Sequence, residues 1–177
     1  MPQNEVPGVP NSGAMGYAAL DFMPDMNSIS YKVVVSNIYG PTASHIHAGA
    51  MGANGPVIAF LYNATGPVNS ATATFGTLSS GTLTPASFIG PAKGMSVKAF
   101  VDMYITPSMA YVNVHTTMYP NGNIRGQISH MPMPMSNMMM APTMAPMPMP
   151  MAPMPMMMGP MPMPGMPTTA GRRMLAV

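Results

Sequence analysis

The chain has 177 residues, of which only 6% are charged, and six Lys or Arg against four Asp or Glu leave a formal net charge of +2. That length suits one domain with its own core, and cations so thinly spread exclude the phosphate-neutralising footprint of a nucleic-acid binder. Cysteine is absent, which removes disulfides, thiolate metal sites and cysteine nucleophiles together.

The composition is uneven along the chain. Of the 27 Met and 23 Pro, 17 Met and 12 Pro lie within residues 131–167. The expected organisation is a flexible lead-in over 1–13, a β domain over 14–130, and a Met/Pro-rich, low-complexity tail over 131–177 that is expected to be disordered. The opening Met1-Pro2-Gln3-Asn4-Glu5-Val6-Pro7 carries neither the basic nor the apolar region of a secretory signal, as expected of a cytoplasmic chain or of a mature form. No apolar run is long enough for a transmembrane helix, and proline interrupts the Met-rich stretch every two or three residues.

From Gly16 the residues Tyr17, Ala19 and Asp21 alternate with Ala18, Leu20 and Phe22, which predicts a strand ended by turn residues after Met23. Residues 29–38 read as the clearest strand, rich in Tyr and Val. A strand through His45-Ile46-His47 runs into a glycine-rich loop, Gly49-Ala50-Met51-Gly52-Ala53-Asn54-Gly55-Pro56. Strands are also expected over 57–62, 71–78, 96–105 and 110–117, with 83–89 ambiguous. A final hairpin at Tyr119-Pro120-Asn121-Gly122 leads into Ile124 to Ile128. No helical period is evident. Short strands between Gly, Pro and Asn turns predict an all-β fold, a Greek-key sandwich or barrel.

Alternation places the chemistry. His45 and His47 share one strand face with Ile46 on the other, and Tyr111, Asn113 and His115 oppose Val112 and Val114. If the apolar residues mark the core, three imidazoles leave the other face and can meet around one small ion. Neutral imidazole suits copper and zinc alike, and three ligands leave an open position. Structural histidines bonded to backbone are the alternative. Met51, in the adjoining loop, is a candidate axial thioether. Arg125 and Gln127 are expected to support the site by bonding loop carbonyls, with Asn113 beside them. His130, at the domain's end, carries little weight.

The motifs Ser44-His45-Ile46-His47-Ala48-Gly49, Asn54-Gly55-Pro56-Val57, Ala110-Tyr111-Val112-Asn113-Val114-His115-Thr116 and Tyr119-Pro120-Asn121-Gly122-Asn123-Ile124-Arg125-Gly126-Gln127-Ile128 together resemble the CHRD domain, named for modules of chordin. The resemblance covers about residues 14 to 129. It implies a secreted or surface β module without an assigned reaction, and hence an extracytoplasmic location. A fainter likeness is to copper/zinc superoxide dismutase, in which His45, His47 and His115 would match three copper ligands and Arg125 the anion-guiding arginine. The chain departs from that pattern: it has no histidine between His47 and His115 to serve as the bridging ligand, no aspartate near that place for zinc, and no cysteine pair.

In the tail, Met131, Met133, Met135, Met138, Met139, Met140, Met147, Met149 and Met151 stand in Met-Pro-Met and Met-Met-Met runs. Thioether sulfur is soft and selects Cu(I), and closely spaced methionines bring several sulfurs to one ion. The stretch looks like Met-rich segments of copper transporters and copper-resistance proteins; an interaction or oxidation-buffering segment is the alternative. Residues 172–177 read as a short basic-then-apolar stub. Asn63, in Asn63-Ala64-Thr65, is a glycosylation acceptor if the chain is secreted.

Three functions follow as expectations. The leading one is a non-enzymatic, extracytoplasmic copper-binding CHRD protein, with zinc as the alternative ion. The second is a matrix or surface module that binds protein partners. The third is a copper redox enzyme resembling a dismutase.

Overall fold

The strand predicted after Gly16 forms as β1 (Met15–Phe22) and pairs antiparallel with β2 (Ile29–Tyr39), from Met15↔Ser36 to Phe22↔Ile29. The structure, a computed structural model, describes residues 1, 4–9, 12–23, 25–130 and 172–176. Six further strands follow: β3 (Pro41–Ala48), β4 (Val57–Asn63), β5 (Ala73–Leu83), β6 (Ala110–Thr116), β7 (Ile124–His130) and β8 (Arg172–Ala176). Their order is β4-β3-β6-β7-β8-β1-β2-β5, antiparallel throughout.

Two sheets share β7. Its first half pairs with β6, from Tyr111↔Gln127 to Val114↔Ile124, and its second half pairs with β8, from Ile128↔Ala176 to His130↔Met174. The β bend between β2 and β3 falls at Gly40, whose φ of +58° is left-handed and where a Cβ would lie 2.5 Å from Thr117 Oγ1. Leu20, Ile29, Val33, Val35 and Ile38 of one sheet and Ile46 and Ile58 of the other are buried in one hydrophobic cluster, with Ile128 on the shared strand. Each such side chain contributes about 1.5–3 kcal/mol by leaving water. The all-β sandwich expected from the alternation is the fold observed.

Residues 96–105 are not a strand. They form a helical segment, α1 (Val97–Phe100), running directly into a π-helical turn (Val101–Ile105). Ser96 caps it by accepting from Ala99 N–H at 3.2 Å, and Thr106 N–H donates five residues back to Val101 O. The buried residues Val97, Phe100, Val101, Tyr104 and Ile105 fall at i, i+3, i+4, i+7 and i+8, a helical stripe inside a β-rich composition. Phe100 stacks on Phe88 with ring centroids 4.2 Å apart, fixing the segment against the core.

The C-terminal stub is also corrected. Arg172–Ala176 is β8, paired with β1 from Ala18↔Ala176 to Phe22↔Arg172, and with β7 on its other side. The ambiguous residues 83–89 end β5 and pass into a 3-10 turn at Pro85–Ser87. Residues 131–171, with the tail methionines, lie outside the described residues. Among the described residues, no helix is long and apolar enough to cross a membrane.

Candidate metal centre

β3 lies between β4 and β6, and its register with β6 sets Ala43 opposite His115, His45 opposite Asn113, Ile46 opposite Val112, and His47 opposite Tyr111. Ile46, Val112 and Val114 enter the core, so the imidazoles and Asn113 occupy the other face. There the ligand atoms of His45, His47 and His115 all lie within 4.8 Å of one another. His45 Nδ1 is 3.1 Å from His115 Nε2. Phe60, opposite His45 on β4, sets its ring edge-on to that imidazole at 4.7 Å.

Backbone carbonyls orient two of the rings. His115 Nδ1 is 2.8 Å from Pro120 O, and His47 Nδ1 is 2.9 Å from Gly55 O. A carbonyl only accepts, so each Nδ1 carries the proton and each Nε2 of the neutral ring keeps its lone pair. His47 Nε2 is buried and without a hydrogen-bond partner. This is how metal-binding histidines are held, the remote nitrogen donating to an oxygen and the near one free.

A column of planar groups supports His47. Tyr111 stacks on it at 4.8 Å with 9° between the rings, and the Arg125 guanidinium lies 3.3 Å from the Tyr111 centroid. Arg125 Nη1 donates to Asn54 Oδ1 at 3.0 Å, and its Nη2 donates to Ala53 O. Gln127 Nε2 donates to Gly49 O at 2.9 Å and to Ser108 O at 2.7 Å. The loop is thereby drawn over the site, and Gly55 is the point where it cannot thicken: a Cβ there would fall 1.6 Å from Ala48 O.

Burial makes the three rings poor proton acceptors. Desolvation, then the neighbouring His115 and His47, pushes His45 down to about 4. Burial likewise lowers His47 and His115, against the opposing pull of their bonds to Gly55 and Pro120. All three are neutral at physiological pH, the form that binds metal. Two nitrogens on one ion at about 2.05 Å stand about 2.9–3.4 Å apart between square and tetrahedral geometry, so the 3.1 Å between His45 and His115 already fits. The other spacings within the trio are no wider than 4.8 Å.

A family model described as the CHRD domain matches residues 1–128. The chain belongs to the CHRD-domain family. The match begins ahead of the expected boundary at residue 14, and the lead-in of this CHRD domain packs where Arg125 N–H donates to Met1 O at 3.1 Å and Asn4 Nδ2 donates to Arg125 O at 3.2 Å. No curated protein and no solved structure matches the chain.

The other residues singled out from sequence are dispersed. Met51 is 81% exposed in the loop between β3 and β4. Asn63 is exposed at the end of β4, and His130 ends β7. Met131, Met133, Met135, Met138, Met139, Met140, Met147, Met149 and Met151 fall outside the described residues. Sequence assigns Gly55 only a share in the tight path of the glycine-rich loop and gives Tyr111, Asn54 and Pro120 no role, although all four stand in the motifs that carry the CHRD resemblance. Only strand register and loop path turn them into the support of the site.

Proposed function

We propose that this CHRD domain is an extracytoplasmic, non-enzymatic metal-binding module in which His45, His47 and His115 hold a copper or zinc ion, while the methionines of residues 131–167 capture or hand over Cu(I). The observation that carries this reading is the paired orientation of His47 and His115, whose Nδ1–H groups bond Gly55 O and Pro120 O and turn two lone pairs toward one point. The buried, unpartnered Nε2 of His47 supports it, because an orphaned acceptor is costly unless something occupies it. The thioether runs favour the same element independently.

The test is the metal content of the chain purified without chelator, followed by Cu(I) and Cu(II) titration. The comparison protein is an internal deletion of 131–167, which retains Arg172–Ala176 for the sheet and joins β7 to β8 as a hairpin. Stoichiometric Cu(II) in both proteins, with additional Cu(I) only in the full chain, is the expected result. Absence of metal at micromolar affinity in both rejects it.

A second reading, an extracellular or surface module that binds protein, draws on exposed aromatic side chains: Phe60 at 50% and Phe75 at 67% exposure. It predicts partner capture that survives His47→Ala. A dismutase-like activity draws no support from a bridging ligand, since the chain has no histidine between His47 and His115.

A further inference from the structure

We propose that Asn113 supplies a fourth donor to the site, its Oδ1 completing a set of three nitrogens and one oxygen that holds a divalent ion, Zn(II) or Cu(II), in preference to Cu(I). The inference rests on the three-histidine reading above and concerns which ion that site selects.

Asn113 lies opposite His45 in the β3–β6 register, is 4% exposed, and has its backbone carbonyl tied to Ser44 Oγ at 2.8 Å. Its Oδ1 is 3.0 Å from His115 Nε2, the same nitrogen that stands 3.1 Å from His45 Nδ1. The ligand atoms of His45, His47 and His115 all lie within 4.8 Å of one another. Thus the amide oxygen and the three ring nitrogens face a common centre.

The proton count at His115 makes the case. Pro120 O takes the Nδ1–H, so Nε2 of the neutral ring offers a lone pair. His45 Nδ1–H satisfies that lone pair, but Asn113 Oδ1 is a second acceptor pointed at an acceptor. Moving the ring proton to Nε2 only transfers the conflict to Pro120 O. Protonating His115 satisfies both oxygens only by setting a full positive charge beside two other imidazoles, in a cluster that contains no carboxylate to balance it. The nearest buried cation cannot help either: Arg125 is engaged with Asn54, Ala53 and Ala50. A metal ion bound to both atoms removes the conflict, since ligand atoms about 3 Å apart are what a bond length near 2.05 Å produces. Amide oxygen is a harder donor than imidazole or thioether, so it adds to the binding of a divalent ion and little to that of Cu(I). The domain and the Met-rich segment then differ in the oxidation state they serve.

The probes are Zn(II), read by competition with a chromophoric chelator, and Cu(II), read by electron paramagnetic resonance, on the full chain. Asn113→Leu is expected to weaken Zn(II) and Cu(II) binding about tenfold or more and to change the Cu(II) hyperfine splitting. Asn113→Asp, with the same shape and an anionic oxygen, is expected to tighten both about tenfold; it carries the test if the leucine variant does not fold. Equal affinities and unchanged spectra in a folded variant overturn the fourth-donor assignment. Weakening in both variants also overturns it, because that pattern means the amide N–H donates to His115 instead. If the unaltered chain binds neither ion while folded, the three-histidine reading itself falls, and this assignment with it.

Discussion

His45 Nδ1 and His115 Nε2 stand 3.1 Å apart on strands held in register by β3–β6 pairing, so the two rings share either one proton or one ion. Because the folded domain gathers the three histidines and the unfolded chain does not, an ion held by them would stabilise the fold. Zinc at a hundred times its Kd is expected to add about 2.7 kcal/mol, read as a raised thermal midpoint. His47→Ala is expected to abolish that increment while costing the metal-free domain about 2 kcal/mol. A zinc-induced shift that persists in this variant would place the ion elsewhere.

Gly55 couples the loop to the ring it orients. The 1.6 Å approach of a Cβ to Ala48 O means that Gly55→Ala must push the loop away, carrying with it the carbonyl that fixes His47. A loss of about 3 kcal/mol or more in urea unfolding is expected, together with loss of metal binding. Gly52→Ala, where a Cβ meets nothing within 4 Å though φ is +77°, is expected to cost about 1 kcal/mol and spare the site.

Two groups of opposite sign shape the pH profile. The histidines have folded pKa values below the unfolded 6.5, reaching about 4 for His45, so the unfolded chain binds protons first and stability falls as pH drops from 6.5 toward 4. Glu5 behaves inversely. Its carboxyl, 7% exposed and pushed up to about 7 by burial despite Arg125, is at its best while protonated, and stability falls as pH rises from 4.5 through 7. Glu5→Gln is expected to stabilise by on the order of 1 kcal/mol at about pH 8, after allowance for solvent screening, and to be neutral at about pH 4. Urea midpoints at the two pH values read this directly, and equal effects at both would refute the assignment.

β8 has neighbours on both sides, Ala19↔Leu175 on β1 and Ser129↔Leu175 on β7. Leu175→Pro removes a backbone donor from an interior strand and is expected to cost about 3 kcal/mol or more. Deleting 131–167 shortens the connection from β7 to β8 and, through the lower entropy cost of closing it, is expected to stabilise by about 2 kcal/mol. A proline variant as stable as the parent chain in chemical denaturation would show that β8 contributes little.

The alternation of β1 to β4 and β6 was legible in sequence because each strand carries its own pattern, and so was the face shared by His45, His47 and His115. What lay beyond reach was non-local or mixed. Arg172–Ala176 is five residues long and finds its partners only through distant β1 and β7. Glu5 is buried by contacts that no local pattern announces. Residues 96–105 hold two Val, a Phe and a Tyr, favourable to strands, yet the Ser96 cap and the Val97, Phe100, Val101, Tyr104, Ile105 spacing decide for helix. The Arg125–Tyr111–His47 column needed the register, since three residues on three different strands share no sequence window.

The shared edge of β7 has a consequence for synthesis. Half of that strand finds β6 as soon as it emerges, but its other half and the free side of β1 wait for a partner that lies 41 residues further along, between His130 and Arg172. At ribosomal speeds of about 5–20 residues per second, the wait is about 2–8 s. During it the nascent domain presents two unpaired strand edges, templates for pairing with a neighbouring chain. The intervening stretch is poor in charge and crowded with proline, a residue with no backbone N–H to give a strand edge. The vacancy is filled by β8, the segment that belongs there.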